Sequence, residues 1–249
     1  MAGVRAVVLA AGRGVRMGGG VMPKTLLPMG DAEPLLAYVL RGLRSAGIDD
    51  LMVVTGHGRE HVEGYVNEHW TGDKPAFVFN ARYASWGNFH SVRVALDQSP
   101  GADVMVVNSD VVVAPEVYSR VASAEGDLVL AVQRKTRLDE EDMRVQLDRR
   151  NVAAIGKDLP MGLSHGEYSG VSLLRPEAAR AYLDAATDNE WRGVTDVYYE
   201  DVYAAMLPRV RATAVFVGEG EYAEVDEPAD VPDAIEVIAT HEASWTASA

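Results

Sequence analysis

Cysteine is absent from this chain of 249 residues. Without thiols the protein cannot form disulfides, use a thiolate nucleophile or hold a metal through sulfur. The absence fits a reducing compartment, and we therefore expect a cytoplasmic location. Hydrophobic residues nevertheless make up 48% of the chain, which is enough for a sizeable core and argues against disorder of the whole chain.

Long hydrophobic runs are also lacking. The apolar run from Ala6 to Ala11 is far shorter than the roughly 20 residues that a helical membrane span needs. No basic start followed by a longer apolar stretch and a small-residue cleavage site marks the N-terminus as a signal peptide. We therefore expect no membrane partner.

Basic residues are scarce, with 23 Lys and Arg against 37 Asp and Glu, a net charge of −14. Such an acidic chain repels nucleic acid and anionic lipid unless a local patch overrides the average. The densest basic run, residues 134–137, is short, so we expect no nucleic-acid partner. If the substrates are polyanions, either the few cations gather at the site or a metal supplies positive charge.

Short apolar runs alternate with helical patterns along the first half of the chain. The β-branched run 4–9 ends in glycines and is typical of a buried strand, whereas the apolar spacing in 35–46 predicts a helix. The alternation predicts an α/β fold, Rossmann-like, with a mainly parallel but mixed central sheet and helices on both faces. In such sheets, sites lie beyond the carboxyl ends of the strands.

The second half has a different pattern. Short predicted strands with turns between them, at 143–147, 152–155 and 168–174, indicate a small β-rich annex that covers the sheet. Helices are predicted at 176–186, 194–206 and 229–240, and residues 243–249 are predicted to be a loose tail. No linker is visible, so we expect a single domain over residues 1–249.

The glycine-rich segment 9–24, LAAGRGVRMGGGVMPK, follows the first predicted strand. Small residues let the backbone approach a ligand closely, and consecutive backbone amides can cradle phosphate. Arg16 and Lys24 add positive charge where a triphosphate would lie. The plain alternative is a glycine-rich surface turn with two solvated cations.

Two better-known glycine motifs do not fit this segment. Gly12, Gly14 and Gly18 have one residue too many for the dinucleotide-binding fingerprint, and a Walker loop needs glycine where Pro23 precedes Lys24. The pattern that fits is L-A-A-G-x-G-x-R-M, followed by P-K and L-P-M-G.

This pattern resembles the signature loop of the nucleotidyltransferases that activate sugar phosphates and small phosphoalcohols. Within that superfamily, the chain most resembles the CTP:phosphocholine and phosphonate cytidylyltransferase branch. The resemblance runs over nearly the full length, and further segments carry it: 80–83, 87–92, 108–110, 139–145, 156–157, 166–170 and 224–226.

The resemblance implies a Mg²⁺-dependent enzyme that transfers CMP from CTP to a small phosphate or phosphonate and releases pyrophosphate, with Mn²⁺ able to substitute. It assigns residues 1–135 to a nucleotide-binding half and 136–249 to an acceptor-binding half with the C-terminal helix, and a homodimer is compatible with it. Two alternatives stay open: a sugar-1-phosphate nucleotidyltransferase that uses UTP or dTTP, and a catalytically silent nucleotide-binding regulatory module.

The resemblance also implies residue roles. Lys24 is expected on the α-phosphate and Arg16 on the β- and γ-phosphates, with Asp110 as the third catalytic residue. Asp110 and Asp226 are the expected Mg²⁺ ligands, since this ion prefers carboxylates and phosphate oxygens. The plain alternatives are a strand-end turn residue for Asp110 and a solvated acidic turn for Asp226.

The expected nucleotide-binding residues come from the glycine-rich loop, the strand ends and the helix after the third strand. Asn88 and Ser91 lie three residues apart on one helix face, but Asn88 is equally a helix cap. The set is Leu9, Ala10, Ala11, Gly12, Arg13, Gly14, Arg16, Lys24, Gly56, Asn80, Asn88, Ser91 and Asp110.

The expected acceptor-binding residues are Arg134, Lys157, Glu167 and Tyr198. Two features depart from the family pattern. The usual Asn-Asn pair is Gly87-Asn88, and an expected tryptophan is Met143 in a segment rich in cations. A choline group favours an aromatic cage, so the segment favours a compact anionic acceptor such as a phosphonocarboxylate; a cage from Tyr198, Tyr199 and Trp191 is the alternative.

Overall fold

The apolar runs of the first half form parallel strands in a computed structural model that describes residues 3–12, 14, 22–29, 33–135 and 137–246. Their β-branched side chains alternate between two buried faces. The strands are β1 (Val4–Ala10), β2 (Asp50–Thr55), β3 (Ala76–Phe79), β4 (Asp103–Asn108), β5 (Val111–Val113), β6 (Leu128–Gln133), β7 (Arg144–Asp148), β8 (Asn151–Gly156), β9 (Gly166–Leu174), β10 (Ala212–Val217) and β11 (Tyr222–Glu224).

Within the described residues, eight α-helices pack around these strands, and short 3₁₀ turns lie at Lys24–Leu26, Met161–Leu163, Leu207–Arg209 and Pro228–Asp230. The helices are α1 (Leu35–Ser45), α2 (Arg59–His69), α3 (Phe89–Asp97), α4 (Pro115–Ser123), α5 (Pro176–Trp191), α6 (Tyr199–Met206), α7 (Val231–Thr240) and α8 (Glu242–Thr246). None of the helices in the described ranges is long and apolar enough to cross a membrane.

Nine strands form one sheet in the order β3-β2-β1-β4-β9-β6-β10-β8-β7. The pairs of β1 with β2 and β4, of β2 with β3 and of β6 with β10 are parallel, and β9 runs antiparallel between β4 and β6. One face is covered by α3, α5 and α6, and the other by α1, α2 and α4. The predicted mixed α/β fold with helices on both faces is therefore confirmed.

The predicted annex is not a separate layer. β7, β8 and β9 belong to the nine-stranded sheet, since β8 pairs with β10 and β9 lies between β4 and β6. The sheet thus contains strands from both the 1–135 and the 136–249 parts of the chain.

Two predicted ends differ from the structure. The helix expected from residue 194 begins at Tyr199, because the Asp201 side chain accepts a hydrogen bond from the Tyr198 N–H, 2.8 Å away, and caps the helix there. The expected loose tail, 243–249, overlaps α8, whose Trp245 is 6% exposed and packs edge-on against Tyr38 with ring centroids 5.7 Å apart.

Candidate active site

A short two-stranded sheet brings together the two aspartates that are 116 positions apart in the sequence. β5 pairs antiparallel with β11, and Glu224 lies opposite Val111. The Val225 N–H donates to the Asp110 carbonyl oxygen at 2.8 Å. Because this pairing continues just past the strands, Asp110 and Asp226 meet beyond the carboxyl end of β4.

Lys24 joins the two aspartates. It begins the 3₁₀ turn after Pro23, and its Nζ lies 3.3 Å from Asp110 Oδ2 and 2.5 Å from Asp226 Oδ1, with 12% of the side chain exposed. Burial lowers the pKa of Lys24, but the two carboxylates outweigh burial and hold it above its ordinary value. The lysine is therefore a protonated cation between two carboxylates.

Gly14 shows why the loop needs glycine at this point. Its φ is +57°, and a Cβ there would lie 2.6 Å from the Cβ of Lys24. A larger residue would meet both backbone strain and a clash with the lysine that bridges the aspartates.

Asp110, Glu224 and Asp226 form an acidic trio whose carboxylate oxygens all lie within 4.8 Å of one another. Asp110 Oδ1 is buried and has no hydrogen-bond partner among the described residues. An unsatisfied buried carboxylate oxygen is costly unless a donor or cation reaches it. The donor set, all carboxylate oxygen, fits a hard divalent cation such as Mg²⁺.

A cavity of about 510 Å³ opens on one side of Lys24, and we call it the loop cavity. Small residues of the glycine-rich segment form one wall, and α3 with the end of β4 forms the other. Its lining consists of Leu9, Ala10, Ala11, Gly12, Gly14, Lys24, Thr25, Asn88, Ser91, Asn108, Ser109, Asp110, Tyr198 and Asp226.

A second cavity of about 480 Å³ lies beside it, and we call it the acidic cavity. The two share Asn88, Asn108, Asp110, Tyr198 and Asp226. Nine carboxylates and two lysines contribute to the lining: Asp110, Asp139, Glu141, Asp142, Glu167, Glu200, Glu224, Asp226, Asp230, Lys135 and Lys157.

Lys135 binds two of these carboxylates. Its Nζ lies 2.8 Å from Asp142 Oδ1 and 2.6 Å from Glu167 Oε2. Burial raises the pKa of Glu167 to about 7, with Lys135 opposing the shift. The lysine thus ties the segment 139–143 to β9 and is not free to attract a ligand anion.

Most expected nucleotide-binding residues that the structure describes line the loop cavity, whereas Gly56 and Asn80 do not. A Cβ on Gly56 would lie 2.7 Å from the Ala11 carbonyl oxygen, so this glycine permits close packing beneath the loop. Asn80 is 1% exposed, donates to Ser91 Oγ at 2.9 Å and accepts from the Arg82 N–H, so it supports Ser91 from behind. Arg13 and Arg16 lie outside the described residues.

Asn88 caps a different helix from the one expected. It occupies the N-cap position of α3 but makes no side-chain cap hydrogen bond there. Its Oδ1 accepts from the Tyr199 N–H at 2.8 Å, at the start of α6. Asn88 thereby links the loop cavity to the helix that carries Tyr198.

Three of the four residues expected to bind the acceptor line the acidic cavity, and their binding role stays a prediction. Glu167, Lys157 and Tyr198 line the acidic cavity. Arg134 does not: its guanidinium lies over the ring of Phe216, 3.9 Å from the centroid. The neighbouring Lys135 is the residue that faces the cavity, because successive side chains of an extended segment point to opposite sides.

The expected surplus of cations around Met143 is wrong for this cavity, because carboxylates dominate its lining. The alternative, an aromatic cage from Tyr198, Tyr199 and Trp191, does not form either. Trp191 is 86% exposed at the end of α5, and Tyr199 is fully buried, with its hydroxyl donating to Asn108 Oδ1 at 2.9 Å. Tyr198 alone of the three lines the cavity.

Sequence reasoning missed Glu224, Lys135, Asn108, Thr25 and Glu200 as lining residues. Glu224 stood in the acidic stretch before Asp226, and strand alternation at β11 was the signal that could have separated it from its neighbours. Glu200 had no local signal, since its position depends on how α6 packs.

Comparisons with known proteins agree with the resemblance to nucleotidyltransferases. The MobA-like NTP transferase domain family matches residues 6–202. The CMP-5'-(3-aminopropyl)phosphonate synthase of Streptomyces rubellomurinus is 38% identical over 139 residues, which are 54% of this chain and 21% of that protein. The chain spans 21% to 45% of the length of this and two further curated relatives.

Two solved structures share the fold over nearly the whole chain. The CTP:phosphocholine cytidylyltransferase of Streptococcus pneumoniae has a TM-score of 0.76 at 19% identity, covering 94% of this chain and 99% of that one. The inositol-1-phosphate CTP transferase of T. maritima has a TM-score of 0.79 at 20% identity, covering 96% and 97%. At these identities the likeness shows the fold alone.

The expected resemblance to nucleotidyltransferases, with cytidylyltransferases of phosphocholine and phosphonates among the relatives, is confirmed. The prediction of a nucleotidyltransferase-type enzyme is confirmed at the level of the family. The chain belongs to the MobA-like NTP transferase domain family.

Proposed function

We propose that this protein transfers CMP from CTP to a small phosphate or phosphonate and releases pyrophosphate. The observation that most supports the proposal is Lys24, held between Asp110 and Asp226 where the loop cavity meets the acidic cavity. A triphosphate in the first cavity and an acceptor in the second would meet at this cation.

The reaction asks little covalent chemistry of the protein. An oxygen of the acceptor's phosphoryl group forms a bond to the α-phosphorus, and the bond from the α-phosphorus to the bridging oxygen of pyrophosphate breaks. The acceptor oxygen is already an anion, so the protein need not remove a proton. Positioning and charge stabilisation then supply most of the catalysis.

Lys24 has the charge and the position for that stabilisation. Its ammonium would lie on the α-phosphate, where negative charge develops, while the small residues of the loop leave room for the triphosphate. Arg16 is proposed on the β- and γ-phosphates. Ser91 and Asn88 line the same cavity, and we propose them as contacts to the nucleoside.

The acidic trio is proposed to hold Mg²⁺, for which Mn²⁺ would substitute. Asp110 and Asp226 would be its protein ligands, with Glu224 adjacent. When bound, such an ion supplies positive charge that lowers the repulsion between acceptor and triphosphate. This accounts for polyanionic substrates at a site in so acidic a chain.

The charge of the acidic cavity supports an acceptor that is cationic at the end remote from its phosphorus. A phosphonocarboxylate would add an anion to a lining of nine carboxylates and two lysines. The relative from Streptomyces rubellomurinus is named for an aminopropyl phosphonate. We therefore propose an aminoalkyl phosphonate or phosphate ester as the acceptor class.

The proposal is tested by measuring pyrophosphate release for CTP, UTP, ATP and dTTP against a panel of acceptors with Mg²⁺. The panel contains 2-aminoethylphosphonate, phosphocholine, glucose 1-phosphate and a phosphonocarboxylate. We expect release with CTP and the aminoalkyl acceptor. Release with glucose 1-phosphate and UTP or dTTP would instead support the sugar-phosphate alternative. CTP binding without release for any acceptor would support the silent regulatory module.

A further inference from the structure

Most carboxylates of the acidic cavity already have a partner. Asp142 and Glu167 share Lys135, Glu141 pairs with Lys157 at 3.1 Å, Asp230 accepts the N–H groups of Asp226 and Glu227, and Asp110, Glu224 and Asp226 form the acidic trio. These groups hold the walls of the cavity or belong to the proposed metal site.

Glu200 is different. It is the second residue of α6, lines the acidic cavity and is 5% exposed. Its Oε2 is buried and has no hydrogen-bond partner within the part of the chain that the structure describes, whereas the Tyr199 hydroxyl and the Glu200 backbone N–H hydrogen-bond to the carboxyl group and favour its ionised form. Burial raises the pKa of Glu200 to about 8, so the empty site favours the neutral acid and a bound cation would favour the carboxylate. A buried acceptor without a donor costs free energy that a ligand could recover by supplying the donor.

We propose that Glu200 is the specificity-determining residue for the acceptor, and that its carboxylate accepts a hydrogen bond from a primary ammonium group at the end of the acceptor remote from phosphorus. The inference rests on the proposed function, because it requires an acceptor bound in the acidic cavity. It adds the residue that reads the ammonium group.

The surroundings favour a primary over a quaternary ammonium. A trimethylammonium group has no N–H to donate and is bound best by aromatic faces. Lys157 Nζ lies over the Tyr198 ring, 5.3 Å from its centroid, and so already occupies one face of this ring. Tyr168 is 4% exposed, and its hydroxyl donates to Ser172 Oγ at 3.0 Å. Tyr222 also lines the cavity, and its hydroxyl donates to Glu224 Oε2 at 3.4 Å. A buried carboxylate at the cavity wall matches a small N–H donor better than a quaternary ammonium.

The start of α6 is held firmly enough to support this selectivity. The Tyr199 N–H donates to Asn88 Oδ1 at 2.8 Å, and the Tyr199 hydroxyl donates to Asn108 Oδ1 at 2.9 Å. These two contacts anchor the residue before Glu200 to the start of α3 and the end of β4. A binding group is selective when its own position is fixed by such supporting contacts.

The test is a matrix of enzyme variants against three acceptors that differ only at the remote end: 2-aminoethylphosphonate, ethylphosphonate and 2-(trimethylammonio)ethylphosphonate. Pyrophosphate release with CTP and Mg²⁺ gives kcat/KM for each pair. The variants are the wild type, Glu200→Gln, Glu200→Asp and Asp201→Asn. Asp201 caps the same helix but lines neither cavity, so its variant disturbs α6 without changing the cavity charge.

For the wild type we expect a preference for 2-aminoethylphosphonate over both other acceptors. Glu200→Gln should lower kcat/KM for this acceptor by about 30-fold, the size typical of losing one member of a desolvated charge pair, and leave ethylphosphonate within about 3-fold. Glu200→Asp should keep part of the preference for 2-aminoethylphosphonate. Asp201→Asn should change kcat/KM for all three acceptors by the same factor. Thermal unfolding temperatures report whether each variant folds.

Three outcomes would overturn the assignment. An equal loss for aminated and unaminated acceptors in Glu200→Gln would make Glu200 a purely structural residue. If the wild type turns over all three acceptors equally, Glu200 does not recognise an ammonium group, although the protein still transfers CMP. This result needs no variant. A wild type that releases no pyrophosphate with CTP and any acceptor would remove the proposed function and this inference together.

Discussion

The two cavities that meet at Lys24 are built in different ways. Half of the residues that line the loop cavity come from the single segment 9–25 and are mostly small, and the others come from the start of α3, the end of β4, Tyr198 and Asp226. The acidic cavity is lined by charged side chains from β9, β11, α6 and the segment 139–143, and from the residues that follow β4, β6, β8 and β11. Much of the loop cavity can therefore be recognised from one stretch of sequence. The acidic cavity depends on side chains from separate elements that only the fold brings together.

This difference predicts which substitutions impair the function of both cavities and which impair only one. Asp110 belongs to both cavities and to the acidic trio, so its loss has the largest expected effect. Asp110→Asn should lower Mg²⁺-dependent turnover at least about 100-fold, since a neutral amide replaces a charged ligand. Pyrophosphate release over a Mg²⁺ titration measures it.

The matched control for Asp110→Asn is Asp233→Asn, an exposed aspartate of α7 that lines neither cavity. It should behave as the wild type. Full Mg²⁺-dependent turnover in Asp110→Asn would remove this residue from the proposed metal site.

Lys24 lines the loop cavity but not the acidic cavity, so its loss should leave acceptor binding unchanged. Lys24→Ala should lower kcat about 100-fold with little change in KM for either substrate, because the ammonium acts on charge that develops in the transition state. Steady-state kinetics with CTP and acceptor varied separately give the split. A variant that changed only the KM for CTP would contradict the proposed role.

Substitutions at two glycines of the loop distinguish a backbone requirement of the fold from a contact with the nucleotide. Gly14→Ala should lower the free energy of unfolding by about 1–3 kcal/mol, because its φ is +57° and the new Cβ would lie 2.6 Å from Lys24 Cβ. Gly12→Ala has nothing within 4 Å of the new Cβ and should leave stability unchanged. Chemical denaturation measures both; equal destabilisation would mean that the Lys24 contact does not restrict Gly14.

If a triphosphate lies against the loop, Gly12→Ala should instead raise the KM for CTP, because a methyl group now stands in the cavity. An unchanged KM for CTP in Gly12→Ala would argue against close approach of the nucleotide to this residue.

The smallest expected effect concerns the acidic cavity alone. Lys135→Met should raise the KM for the acceptor on the order of tenfold, because Asp142 and Glu167 lose the cation that positions them, and should leave the KM for CTP unchanged. Arg134→Met is the matched control, since Arg134 lies over Phe216 outside the cavity. Equal effects of the two changes would contradict the separate roles of these neighbours.

Local patterns were sufficient for much of the fold. The β-branched run 4–9 predicted β1 within one residue, because a buried parallel strand must be apolar on both faces. The glycine-rich segment with Lys24 was recognisable for the same reason that it works: consecutive small residues and a positive φ are properties of one short stretch of chain.

Tertiary structure decided the rest. The three-residue strands β5 and β11 are too short to predict, yet their pairing is what brings Asp110 to Asp226. Likewise, the choice of Lys135 over Arg134 and the position of Glu200 depend on which side of the chain faces the cavity.

The sequence by itself therefore determined the type of fold, the loop and the residues with suitable chemistry. Only the packed structure decided which of those residues face each other and which charges they neutralise. The physical reason is that main-chain conformation follows from neighbouring residues, whereas an electrostatic environment is a sum over groups that are distant in sequence and close in space.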